Sequence, residues 1–75
     1  MNQKEINEYV LRLIEDEKKE LAKSKVWEYG FILESTEPKK MGKIEALEKL
    51  GTWQAHIKSI ENRIGTYQEY IKLHE

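Results

Sequence analysis

Seven apolar side chains in the C-terminal half of the chain, Leu50, Trp53, Ile57, Ile60, Ile64, Tyr67 and Ile71, recur in alternating steps of three and four residues. Such alternation keeps side chains on one edge of an α-helix, because a mean step of 3.5 nearly matches the helical turn. A half-buried strand would need alternation every second residue, which this row does not have. The row predicts a long helix packed lengthwise against other helices, and an all-α fold with it.

Glycines at positions 42, 51 and 65 weaken such a helix by about 1 kcal/mol each relative to alanine. Gly65-Thr66, with Glu69 three residues on, could restart a helix through its own capping box, which leaves a three-helix bundle broken at Gly51 or Gly65 as the alternative. The phase of the row argues against a break. Leu50 to Trp53 crosses Gly51, and Ile64 to Tyr67 crosses Gly65, both without a slip. The expectation is one continuous helix from about residue 38 to residue 73.

The N-terminal half carries its own pattern. Asn2 followed by Glu5 has the form of a capping box, and Ile6, Val10, Leu13, Ile14, Glu17, Leu21 and Ser24 then share one helical face. Helix 1 is expected over about residues 3 to 34. Ser35-Thr36-Glu37-Pro38 is the strongest punctuation: Ser35 or Thr36 could cap a new helix, with Pro38 in its first turn. Proline also disfavours helical backbone at Glu37. A short link turns the two helices antiparallel, as a helical hairpin in a single domain spanning residues 1–75.

A link at residues 35–37 sets a register in which Leu21 meets Leu50, Ile14 meets Ile57 and Ile6 approaches Ile64. Tyr70, Ile71 and Leu73 would then overhang, uncovered. Glu17, which falls on the apolar stripe, is expected either to pair across the bundle with His56 or Lys58 or to face a polar layer that sets register.

One hairpin hides only one stripe per helix. Val26, Trp27, Tyr29, Phe31, Ile32 and Leu33 wrap nearly all round the end of helix 1, and a helix apolar on every side is normally buried on every side. Met41, Ile44, Leu47 and Tyr70 flank the second row in the same way. The expected assembly is a homodimer of hairpins forming a four-helix bundle, with the seven-residue row as its oligomer interface.

Composition bounds the function. Thirteen basic against 14 acidic residues leave a net charge of −1, with no pull toward nucleic acid or an anionic membrane. The most basic patch, Lys39, Lys40 and Lys43, lacks arginine forks, and Arg12 and Arg63 stand far apart. No cysteine is present, which excludes disulfides and Cys-based zinc sites and fits a cytoplasmic location. The longest near-continuous apolar stretch, Val26 to Leu33, is far short of the ~20 residues a membrane span needs. The N-terminus has no apolar signal-peptide core.

His56 and His74 lack the i, i+3 or i, i+4 partners of a helical metal site. The acidic residues Glu15, Asp16, Glu17 and Glu20 are interleaved with Lys18, Lys19 and Lys23, as on a solvated face. Ser24, Ser35 and Ser59 have no nucleophile elbow, and the glycines stand singly rather than in a phosphate loop. No enzyme, cofactor or metal is expected. What is left is surface. Trp27, Tyr29, Phe31 and Tyr70, with Tyr67, are the expected anchors for a protein partner, because large aromatics dominate interface energetics. The expected role is a small accessory or inhibitory binding protein of the kind that mobile elements such as phages encode. The alternative is a scaffolding homo-oligomer whose aromatics are consumed by self-assembly.

Overall fold

The computed structural model describes all 75 residues, as two helices, α1 (Gln3–Thr36) and α2 (Lys43–Leu73), with no strand. They lie side by side as an antiparallel hairpin of 53 × 15 × 15 Å. That length is one 34-residue helix at 1.5 Å per residue.

The N-terminus of α1 is capped as the sequence predicts, the Asn2 side chain accepting the Glu5 amide N–H at 2.9 Å. Its C-terminus lies two residues further on than expected. Ser35 and Thr36 cap nothing new; their hydroxyls donate back to the Ile32 carbonyl at 2.7 Å and the Leu33 carbonyl at 3.0 Å. The hydroxyls thus fold back onto the last turn, whose Leu33 carbonyl also takes the Glu37 N–H at 2.8 Å, and α1 runs on through Thr36. Glu37 then leaves the helical region (φ −132°, ψ 76°), in line with the proline that follows it.

Pro38 is not in the first turn of α2, which begins at residue 43 rather than 38. Residues 37–42 form a loop pinned by Glu34, whose carboxylate accepts the backbone N–H groups of Lys39 (3.0 Å) and Lys40 (3.3 Å). Gly42 is the N-cap of α2 and supplies no side-chain bond. From Lys43 the helix is unbroken through Gly51 and Gly65 to Leu73, so the continuous form holds and the three-helix alternative does not.

The longer loop moves the register. Glu17 pairs with Arg63, Glu20 with His56, and Trp27 stacks on Trp53. These pairs lie one to two helical turns along α2 from those a link at residues 35–37 would give. Glu17 therefore does not meet His56 or Lys58. Tyr70 and Ile71 do not overhang either; they pack beside the core cluster, and only Leu73 stays 71% exposed.

All seven residues of the C-terminal row are buried or half-buried on the α1–α2 seam. The core cluster is Val10 and Ile14 of α1 with Ile60 and Ile64 of α2, flanked by Ile6, Leu21, Tyr67, Tyr70 and Ile71. It sits nearer the termini than the loop. Gln3 donates to the Tyr70 hydroxyl at 3.1 Å and the Asn7 amide to the His74 carbonyl at 2.9 Å, closing that end. Towards the loop only Phe31, Ala46, Ile57 and two serines are buried.

Ile60 is the one large apolar side chain with no exposed surface. Ile60→Asp, which buries an unpaired charge there, is expected to abolish the cooperative thermal transition followed by circular dichroism. An added Cβ at Gly51 or Gly65 would meet nothing within 4 Å. Gly51→Ala and Gly65→Ala are each expected to raise stability by about 1 kcal/mol, or the melting temperature by about 4–8 °C.

Candidate interaction surface

Of the four aromatic anchors the sequence singles out, α1 brings two together. Trp27 and Phe31, one helical turn apart, stack at 6.2 Å between ring centroids. Trp53 reaches across from α2 to stack on Trp27 at 5.9 Å with only 10° between planes, and His56 meets Trp53 edge-on at 5.6 Å. Phe31 is buried, while Trp27 stays 50% exposed.

Tyr29 and Tyr70 do not join it. Tyr29 follows Trp27 by two residues, about 200° round the helix, and stands 62% exposed elsewhere on α1. Tyr70 lies at the opposite end of the rod, its ring stacked on His74 at 4.1 Å. Tyr67 is half-buried beside the core cluster. The participation of Trp53 was hidden in the sequence by its place in the seam row.

A shallow groove of about 290 Å³ runs from Trp27 along Gly30, Phe31 and Glu34 to Lys40 and Met41 of the loop. Trp27, Phe31 and Met41 give it apolar lining, and Glu34 and Lys40 supply charge. Because Glu34 binds the loop amides, the rim is tied to α1. The two loop hydrogen bonds, led by that from Lys39, hold the Glu34 carboxyl below its ordinary value.

Polar pairs continue the same side of the hairpin toward its middle. Arg63 grips Glu17 with two nitrogens, Nε at 2.9 Å and Nη2 at 3.0 Å. This fork is the geometry in which arginine binds carboxylate best. The hydrogen bond from Arg63 is the main cause of a lowered Glu17 carboxyl pKa, and its counterpart raises the guanidinium. His56 Nε2 lies 3.5 Å from Glu20 Oε1. No group of three metal-ligating side chains lies together, and no helix is long and apolar enough to cross a membrane. No family model, curated protein or solved structure matches the chain.

The lowered carboxyls fix the sign of the acid response. A group whose folded pKa lies below its ordinary value of 4.5 stabilises the fold fully above that value and loses the contribution as pH falls through the folded pKa. The melting temperature is expected to be flat from pH 7 to pH 5 and to fall below about pH 4.5. Glu17→Gln is expected to shallow that acid slope while slightly lowering the melting temperature at pH 7.

Proposed function

We propose that the hairpin is a non-enzymatic protein–protein interaction module whose docking site is centred on Trp27. The observation that carries this reading is the half-exposed indole, stacked on Phe31 of its own helix and on Trp53 of the other. A tryptophan stacked in this way adds large contact area at little cost in side-chain freedom, which is the character of an interface hot spot. The adjoining groove, bounded by Glu34 and Lys40, gives the partner an apolar slot with a charged edge. Such a surface suits an accessory or inhibitory role, in which occupation of a partner is itself the activity. An origin in a mobile element and a cytoplasmic setting complete the proposal, on the strength of small size, absence of cysteine and lack of any catalytic constellation.

The test is affinity capture from the native host with wild-type protein and Trp27→Ala side by side. A host protein retained by wild type and weakened about 100-fold by the substitution, as for a hot spot worth roughly 3 kcal/mol, is the expected result. Capture of the same proteins by both forms would remove Trp27 from the site. Capture of nothing but the chain itself would remove the foreign partner.

A further inference from the structure

The outward side of α1 carries a second apolar stripe that the hairpin does not use. Ala22, Val26, Tyr29 and Leu33 recur at steps of four, three and four, on the side of α1 turned away from α2. All four are exposed, Val26 by 72%, Tyr29 by 62% and Leu33 by 49%. The chain as a whole is also too open for its mass. It exposes 5757 Å². A compact protein of 9.0 kDa exposes about 4,850 Å² by the usual scaling of area with mass. The excess, about 900 Å², is close to the ~800 Å² that each partner buries in a stable protein–protein interface.

We propose that a second copy of this chain packs on this face, α1 against α1 and antiparallel, about a two-fold axis between Val26 and Tyr29. The spacing four-three-four reads the same in both directions, so a two-fold axis lays the stripe on itself without offset. Val26 then meets the copy's Tyr29, and Ala22 meets the copy's Leu33, small against large in each outer layer.

Charge continues the match beyond the apolar layers. Along the same face toward the N-terminus comes Lys19, and beside Leu33 in the other direction lies Glu37 at the start of the loop. The axis pairs residue i with residue 55 − i of the copy, so Lys19 comes level with the copy's Thr36, one residue from Glu37. Each end of the contact therefore sets a lysine beside the copy's glutamate. Trp27 lies about 100° round the helix from Val26, off this contact. Self-association and the Trp27 site are separate proposals, and either can fail alone.

Sedimentation equilibrium at about 100 µM, well above the micromolar affinity usual for modest interfaces, tests the pairing. Wild type is expected at twice the 9.0 kDa chain mass. Val26→Glu is expected to weaken association by about 100-fold or more, because the dimer would bury an unpaired charge. Its helicity should survive, since Val26 is exposed in the single hairpin. A wild-type monomer at that concentration, or a Val26→Glu dimer as tight as wild type, overturns the proposal. The chain has no native cysteine, so register can be read from single-cysteine variants. A mixture of Ala22→Cys and Leu33→Cys is expected to form the mixed disulfide faster than either homodimeric one. Preferential linkage of like positions would instead mean a parallel pairing and overturn the antiparallel axis.

Discussion

Two helices share one seam, and everything else in this molecule follows from how little that seam can hide. Each helix can turn one stripe inward, so the apolar side chains compete for a strip a single side chain deep. The winners cluster where Val10 and Ile14 face Ile60 and Ile64, and only nine of 75 residues end up buried. A chain with so thin an interior has no spare core to absorb Val26, Tyr29, Leu33, Ile44 or Leu47, which stay at the surface. Packing is therefore uneven along the rod: closed by side-chain hydrogen bonds at the termini, open and aromatic toward the loop.

The polar side chains settle which residues face one another. Apolar rows of alternating threes and fours fit many registers, since sliding one helix by a full heptad re-creates much the same contacts. The Arg63–Glu17 fork does not slide; its two nitrogens reach both carboxylate oxygens in a single alignment. Glu34 acts on the same question from the loop side. By capturing the Lys39 and Lys40 amides it fixes how much chain is spent between the helices, and hence where α2 begins. Both carboxylates are partly open to solvent, so their worth is in specifying the alignment more than in raw stability.

The pattern of legibility has the same cause. The helices themselves were readable, because periodicity over three heptads is a property of each helix alone; so was the continuity through Gly51 and Gly65, kept by an unbroken phase. The Asn2 cap was readable because its partner, Glu5, is three residues away. What failed was the junction. Ser35 and Thr36 are as apt to bond back into the last turn of one helix as to cap the next, and the choice depends on where the loop goes. That choice depends on Glu34, whose reach to Lys39 and Lys40 leaves no mark in spacing. An error of five residues at the start of α2 then carried into every cross-helix pairing, including Glu17 with Arg63 and the fate of Tyr70 and Ile71. Trp27 and Tyr29 stand out by type, and their two-residue spacing alone puts them on different faces; which of those faces lies beside α2 follows only once the seam direction is known.

Ser24 shows how the seam and the surface constrain each other. It is wholly buried, and its hydroxyl has no hydrogen-bond partner. An orphaned polar group of this kind costs about 1–3 kcal/mol, and an alanine would occupy nearly the same space without it. Nothing in the hairpin explains the hydroxyl, but the small size has a clear use. Ser24 lies one turn before Trp27, next to the stretch where Trp53 crosses from α2 to stack on that ring. A large side chain at position 24 would hold the helices apart there and break the stack of Trp53 on Trp27. The aromatic surface is thus set from beneath: a small buried residue leaves room for α1 and α2 to lie close, and the two indoles stack with half of Trp27 out to the solvent.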